Sequence, residues 1–433
     1  MKLHPLPSTS FLLLICVFCF QQAFGQTQLI STPNASPKAK VYQQIGLTDI
    51  EVVYFRPAAK DREIWGKLVP YGAIWRAGAN DNTIFKVSDE VSIEGQKLAA
   101  GAYGLHIIPG EQKSTVIFSS NTSSWGSFSY NDQEDVLRVN VPTQKSNHFY
   151  ESLTYEFEGL GTDHAVCALS WADKKIAFKV SADVHTQTIA SLRDQLRTKP
   201  GWSWRGWNEA ANYCLKNDVN HQEALGWASR SVFMNPNKQN MLVKARLAAK
   251  VNATGDEKQD KKAVLTFLKK DLNAMPCTWK EWDAAANYAS SIEQWDEALT
   301  LAKTSVKMNP NMTNMMTQVA ILEKKGDSKA ASKLKKEAIA KGSNAELNTY
   351  GYQLMFSGKT KEAVEIFEAN AERNPQDPNA WDSLGEGYAS NGQKDKAIEA
   401  LKKALSLNPP ANVKANSLKV LRQLGADMKD IKP

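Results

Sequence analysis

The stretch Trp381-Asp-Ser-Leu384-Gly385-Glu-Gly-Tyr388 is followed, at fixed offsets, by Ala397, Leu401, Ala404 and Pro409. Moving back 34 residues meets Leu347, Tyr350, Gly351, Leu354, Ala363, Phe367, Asn370 and Pro375, most of them compatible with their counterparts. Trp282, Ala285, Ala286, Ala289, Ala298, Ala302, Ser305 and Pro310 keep the same offsets. Trp207, Ala210, Ala211, Cys214, Ala224, Ala228, Ser231 and Pro236 do so with one residue inserted in the turn. Self-similarity at such a period marks one supersecondary unit stacked on copies of itself. Small residues at the eighth and twentieth positions let two antiparallel helices approach closely. Large residues at the fourth and twenty-fourth fill the space between units, and proline at the thirty-second ends the second helix. Two weaker units, Asn237–Pro276 and Asn311–Gly342, fill the gaps. Six helical pairs are expected over 202–410, then a capping helix and tail over 411–433.

This pattern resembles the tetratricopeptide repeat, most closely in the last two full units and in Trp282–Pro310. The resemblance implies an all-α solenoid that binds an extended peptide or a partner protein along its concave face. By the family pattern, the fifth and ninth positions of each first helix line that groove. They are Asn208 and Asn212, Asp283 and Asn287, Asn348 and Tyr352, and Asp382 and Glu386. Asparagine can hydrogen-bond a peptide backbone without reading side chains. Asn212, Asn287, Asn348 and Tyr352 are expected to contribute most. Asp283, Asp382 and Glu386 make the ladder acidic, which favours a partner carrying Lys or Arg. Repeats that clamp a terminal carboxylate place Lys at the fifth position, and none stands there.

The first half reads differently. From Val41 to Val180 the chain alternates apolar and polar residues in short segments broken by Gly, Pro, Asn and Asp. Thr48–Phe55, Thr83–Val87, Glu90–Glu94, Tyr103–Ile108, Thr115–Ser119, Val136–Val141, Leu153–Phe157, Ala165–Trp171 and Lys175–Val180 are the expected strands. Trp171-Ala-Asp-Lys-Lys175 reads as a tight hairpin. Many short strands with turn signals and no helical period predict an all-β sandwich or barrel. Between the halves, Ile189, Leu192 and Leu196 form one helical stripe in a linker over 183–201, ended by Lys199-Pro200-Gly201. The cluster Trp202-Ser-Trp204-Arg-Gly-Trp207 follows, as packing at the domain junction or an aromatic stack for a ligand.

The strings Arg62-Glu-Ile-Trp65-Gly66, Trp75-Arg76-Ala-Gly78-Ala-Asn80, Gly101-Ala-Tyr103-Gly104 and Trp125-Gly126 resemble an exported bacterial domain of unknown function, the DUF family numbered 2911, over residues 36–181. That resemblance implies no activity. Read physically, the guanidinium forks of Arg56, Arg62 and Arg76 suit a carboxylate or phosphate. Trp65, Trp75, Asn80 and Tyr103 accompany them. The set either lines a site for a small anion or sugar, centred on Arg56, Arg76 and Asn80, or serves as core plug and loop clamp. An enzyme built on that site is the alternative to a non-catalytic binding protein. No HExxH, GxSxG or phosphate-loop motif is present, and no catalytic residue, cofactor or metal site is expected. His164-Ala-Val-Cys167 supplies two ligands where a structural zinc needs about four.

Net charge is +7, with net −2 over 26–181 and net +8 over 182–433. Spread over the helical half, that excess is no nucleic-acid footprint, and no membrane span is expected. Lys2, the apolar run Phe11–Phe20 and Ala23-Phe24-Gly25 form the three regions of a secretory signal peptide over residues 1–25, hence a periplasmic or secreted protein. Cys16 and Cys19 would leave with it. Cys167, Cys214 and Cys277 are expected as buried free thiols. N-terminal sequencing of the mature product should begin at Gln26; an intact Met1 on a cytoplasmic product would overturn the export reading.

Overall fold

The computed structural model describes residues 33–427. The expected signal peptide, with Cys16 and Cys19, lies outside the described residues. Contacts divide the chain into two compact units, the first ending at Ala190 and the second beginning at Ser191.

In the first unit, period-two burial builds a nine-stranded antiparallel sheet. Its strands are β1 (Lys38–Ile45), β2 (Thr48–Phe55), β3 (Thr83–Val87), β4 (Val91–Ile93), β5 (Gln96–Leu98), β6 (Gly101–Ile108), β7 (Lys113–Ser119), β8 (Asp135–Glu158) and β9 (His164–Ala182). They lie in the order β1-β2-β3-β6-β7-β8-β9-β4-β5. The two longest strands join its halves. The start of β8 pairs with β7, and the rest pairs with β9. The sheet therefore folds over at β8, and its inner faces meet as a sandwich does. Phe85 and Phe118 from one half pack on Phe178 from the other, at 5.8 and 5.6 Å between rings. Trp75 stacks on Trp171, and the Trp65 indole donates to the Trp171 carbonyl at 2.9 Å.

Two expectations for this unit are corrected. Val136–Val141 and Leu153–Phe157 are parts of one strand, as are Ala165–Trp171 and Lys175–Val180. Trp171–Lys175 is accordingly no hairpin. Ala172 takes a left-handed φ of 50° and the register slips twice between Lys145 and Thr154, so β8 and β9 bulge together and bend. A bulge strengthens the local twist and lets a strand change sheets. The actual turn is Gly159–Asp163, closed by Gly161 N–H on the His164 carbonyl.

Helix α1 (Val184–Gln195) spans the division between the units. In the second unit the six helical pairs are α2 (Trp204–Lys216) with α3 (His221–Met234), α4 (Lys238–Val251) with α5 (Glu257–Ala274), and α6 (Trp279–Ser291) with α7 (Trp295–Met308). They continue as α8 (Met312–Lys324) with α9 (Ser328–Lys341), α10 (Asn344–Phe356) with α11 (Thr360–Arg373), and α12 (Pro378–Ser390) with α13 (Lys394–Ser406). Helix α14 (Ala411–Gln423) follows. The inserted turn residue of the first pair is absorbed by left-handed Asp218 and Asn220.

The small residues do what their positions require. Ala211, Ala224, Ala286, Ala298, Ala363 and Ala397 are wholly buried between paired helices. At Gly385 a Cβ would stand 2.5 Å from Leu401 Cγ, and at Gly351 2.4 Å from the Phe367 ring. The buried Leu401 and Phe367 cannot step aside. Gly226, inside α3, faces open space. The same substitution should thus act with opposite signs at two glycines. Gly385→Ala overpacks the α12–α13 contact and should cost about 1–3 kcal/mol. Gly226→Ala should gain about 0.5–1 kcal/mol through helix propensity. Urea denaturation followed at a helical band checks both; equal effects would show that helix approach is not limiting.

Candidate functional site

Two regions hold the residues singled out in the sequence. In the β unit the structure disperses most of them into support. Arg56 follows β2 and donates from Nε to the Leu153 carbonyl at 3.0 Å and from Nη2 to Thr154 Oγ1 at 2.8 Å. Arg62 donates to the carbonyls of Ala59 and Ala58 at 2.9 and 2.6 Å. Trp65 is buried, and Trp75 closes on the Gly78 carbonyl at 3.2 Å. The buried Tyr103 donates to the Ala99 carbonyl at 2.9 Å. Asn80, left-handed at φ 57°, reaches the Ser36 carbonyl at 3.4 Å and receives Gly126 N–H on its own carbonyl. Only Arg76 has no acceptor among the described residues, and its Nε is sealed from water. Burial pulls its guanidinium below the ordinary value.

His164 pairs with Asp163 at 2.7 Å, while Cys167 is buried. Burial pushes the Cys167 thiol far up, which leaves it unreactive. Cys214 is likewise a buried free thiol, whereas Cys277, also free, is only half-buried and so departs from the expectation. Among the described residues no three His, Cys, Asp or Glu side chains gather as metal ligands.

In the helical unit, N-caps set the frame for the first helices. Ser203, Asn237, Thr278, Asn311, Ser343 and Asp377 cap α2, α4, α6, α8, α10 and α12, each side chain accepting from the first turn. Counting five and nine residues from each cap recovers the eight groove candidates. It also gives Leu242 and Arg246 on α4, and Met316 and Ala320 on α8. These four were missed because the weaker units carry Met241 and Met315 at the fourth position and keep only part of the small-residue marks, Ala245 in one and Ala331 in the other; Asn237 and Asn311, each heading a capping box, carried the register.

The fifth positions form a floor between neighbouring first helices. Asp382 is buried and receives Ser417 Oγ and, at 2.8 Å, Asn416 Nδ2 from α14. Asn208, Asp283 and Asn348 each keep one buried oxygen without a donor. The ninth positions reach further out. Exposed Asn287 donates to the Asp283 carbonyl at 2.9 Å and to Thr317 at 3.4 Å. Tyr352 donates to Glu386, and its oxygen lies 3.2 Å from the Ser383 hydroxyl, which can donate to it, both on the next first helix.

Two clefts open over this floor. One, of about 560 Å³, lies across α4 and α6 between Lys238, Leu242, Arg246, Lys280, Asp283 and Asn287. The other, of about 970 Å³, lies across α8 and α10, with Met316, Ala320, Thr349, Tyr350 and Gln353 in its wall. Both include Asn287 and Thr313, so they form one continuous groove. Of the eight candidates only Asp283 and Asn287 line it: Asn208 and Asn212 stand outside it on α2, and on α10 the neighbours of Asn348 and Tyr352 line it instead, because Tyr352 is bound to α12. The expected acidic ladder is also altered. Asp382 and Glu386 are taken up by bonds between repeats, and Lys238, Arg246 and Lys280 surround Asp283.

Burial raises the Asp283 carboxyl, with Thr317, Lys238 and Asn287 pulling the other way. The folded chain therefore holds this proton to higher pH than the unfolded chain does. Stability falls as pH rises through that window, and the whole cost stands above it. Asp283→Asn should accordingly raise the melting midpoint at pH 7. The gain should vanish below about pH 4, where the carboxyl is protonated in both states. Melting curves at the two pH values check this; a loss at pH 7 would mean that the charge is held by its neighbours.

Comparison with known proteins follows the same division. Residues 36–180 match the model of a protein family of unknown function, DUF2911, and residues 378–411 match the tetratricopeptide repeat. The general transcriptional corepressor trfA of Dictyostelium discoideum is 28% identical over 132 residues, 29% of this chain and 10% of that protein. Superkiller complex protein 3 of Mus musculus is 32% identical over 68 residues, 16% of this chain and 4% of that protein. The chain thus spans a tenth or less of these curated relatives. Among solved structures, YrrB, described as a tetratricopeptide protein with an unusual peptide-binding site, is 21% identical with a TM-score of 0.23, covering 44% of this chain and 97% of its own. MamA is 14% identical with a TM-score of 0.21, covering 47% and 96%. Two stretches of this chain therefore resemble known families: a β region whose family has no assigned function, and a helical region built of tetratricopeptide repeats.

Proposed function

We propose that this is an exported, non-catalytic binding protein whose helical repeats hold an extended segment of a partner protein. The observation that carries the reading is the continuous groove across α4, α6, α8 and α10, walled mainly by first-helix side chains, with Lys335 of α9 and Glu362 of α11 at the edge of its larger part. Exposed Asn287 sits where its two parts meet. An amide there can offer both a donor and an acceptor to a passing peptide backbone. Met312, Met316 and Leu354 give the α8–α10 part an apolar wall, suited to an apolar side chain of that segment. Lys238, Arg246 and Lys280 give the other end a cationic wall that discourages a purely basic partner. No helix among the described residues is long and apolar enough to cross a membrane. Export rests on the sequence of residues 1–25. The β unit serves as a second recognition module.

A peptide library displayed on phage and panned against the full chain supplies the ligand for a test. Losing one hydrogen bond costs about 0.5–1.5 kcal/mol, more where a partner group stays buried and unpaired. The double variant Asn287→Ala, Gln353→Ala, at two exposed positions of the groove wall, should therefore bind enriched peptides about tenfold more weakly, by titration calorimetry, at an unchanged melting midpoint. Undiminished affinity in a folded double variant would remove the groove from consideration.

A further inference from the structure

The segment between β7 and β8 arches over the outer face of β6 and is fastened along its length. Asn82 N–H donates to the Ser124 carbonyl at 3.0 Å and Gly126 N–H to the Asn80 carbonyl at 3.1 Å. Ser127 Oγ and His106 Nδ1 lie 3.2 Å apart, and the His106 and Tyr130 rings 5.2 Å apart. Tyr130 is in turn bonded to Asp135 and Arg138, at 2.6 and 2.7 Å. Fastened in this way, the segment nevertheless shows two large rings to solvent. Trp125 is 63% and Phe128 84% exposed, and their rings are parallel to within 17° at 5.8 Å. Exposed rings stacked on a fixed loop cost solvation that the fold does not recover.

Arg76 ends at the same place. Trp75 pairs with Ile107 in the sheet and turns its ring into the core, so alternation sends Arg76 to the outer face, opposite His106. Gly126 is left-handed at φ 72°, and a Cβ there would meet the Phe128 ring at 2.9 Å and Arg76 Nη1 at 3.8 Å. The guanidinium and the aromatic pair therefore flank one glycine. Arg56, Arg62, Arg138 and Arg193 all have acceptors. Arg76 has none among the described residues, though it is half-buried.

We propose that Arg76, Trp125 and Phe128 form a binding site for an acidic sugar, with the sugar ring laid on an exposed aromatic face and its carboxylate received by Arg76. An aromatic face takes the C–H face of a saturated ring, and a single guanidinium fork matches one planar carboxylate. The flanking residues suit the remaining hydroxyls: the chain reads Ser-Ser-Asn-Thr-Ser-Ser before Trp125, and Thr122 and Ser123 are exposed. The site shares no residue with the helical groove, so the two readings stand or fall separately.

Titration calorimetry of the full chain with trigalacturonate, a neutral galactose trisaccharide and inorganic phosphate tests the site. Trigalacturonate should bind and quench tryptophan fluorescence, with the neutral sugar at least tenfold weaker. Arg76→Gln should lower trigalacturonate affinity at least tenfold, and Arg76→Lys, which keeps the charge without the fork, by less. Trp125→Ala and Phe128→Ala, both at exposed positions, should each weaken it several-fold at an unchanged melting midpoint. Should Arg76→Gln melt early, the two aromatic variants decide. No binding of trigalacturonate, equal binding of the neutral sugar, phosphate binding as tightly as the uronate, or unaltered affinity in folded Trp125→Ala and Phe128→Ala would each overturn the proposal.

Discussion

Ser231 on α3 donates to the Trp204 carbonyl at the start of α2, at 2.8 Å, and accepts from Asn240 of α4 at 3.0 Å. One buried hydroxyl so ties three consecutive helices. Asn240 completes the knot: its amide nitrogen also meets the Asn235 carbonyl, and its oxygen takes Asn237 N–H at the head of α4. The arrangement recurs one double repeat later, with Ser305, Trp279, Asn314, Asn309 and Asn311 at matching distances. Both knots come from the same string, Met-Asn-Pro-Asn-x-x-Asn, at 234–240 and 308–314. Every group in them is satisfied, the condition under which a buried polar network specifies one geometry. The angles at which the first pair meets the second and the third meets the fourth are set here, and the groove inherits part of its course from them.

Where the network is incomplete, the groove begins. The fifth-position side chains stand between first helices that the knots have already placed, and they adapt to the space left. Asp382 finds two donors on α14, whereas Asn208, Asp283 and Asn348 each lack one. A buried acceptor without a donor costs about 1–3 kcal/mol. Such a cost is tolerable in a stack where neighbouring interfaces carry the stability. Polar floor and open cleft thus have one origin, namely first helices fixed at their heads by buried polar bonds and joined at their middles by only a few.

The helical half was largely legible in the sequence because its constraint is local. Close approach demands Ala or Gly, and the 34-residue spacing repeats that demand in the same chain. The weaker units hid their register because Met315 and Val319 on α8 fill space that small residues leave elsewhere. In the β half, period two revealed most strands. It missed β1, whose Lys-Ala-Lys-Val-Tyr-Gln-Gln-Ile leaves only Ile45 fully buried, and the three-residue β5. It also split β8 and β9 at their shared bulge. Of the candidate site, residue types were legible but destinations were not. The acceptors of Arg56 and Arg62 are backbone carbonyls, which every residue owns and no side-chain pattern announces.

The contrast between Arg56 and Arg76 follows from one strained turn. Ala77 takes φ 52°, a conformation that costs an L-residue about 1–2 kcal/mol. Its carbonyl is held by two buried donors, Tyr155 Oη–H at 3.0 Å and Thr83 Oγ1–H at 3.1 Å. At Gly78 the backbone comes so near Thr83 that a Cβ would lie 2.6 Å from its hydroxyl. Two hydrogen bonds at roughly 0.5–1.5 kcal/mol each can offset a strain of that size. The turn is therefore held by the core on its own account. Because it is held, Trp75 keeps its place against Trp171, and the following residue must leave the sheet on the far side. Arg56 emerges beside β8 and finds carbonyls within reach. Arg76 emerges under the arch beside Gly126, where the chain offers it no acceptor, and so its fork stays available to whatever meets the two exposed rings.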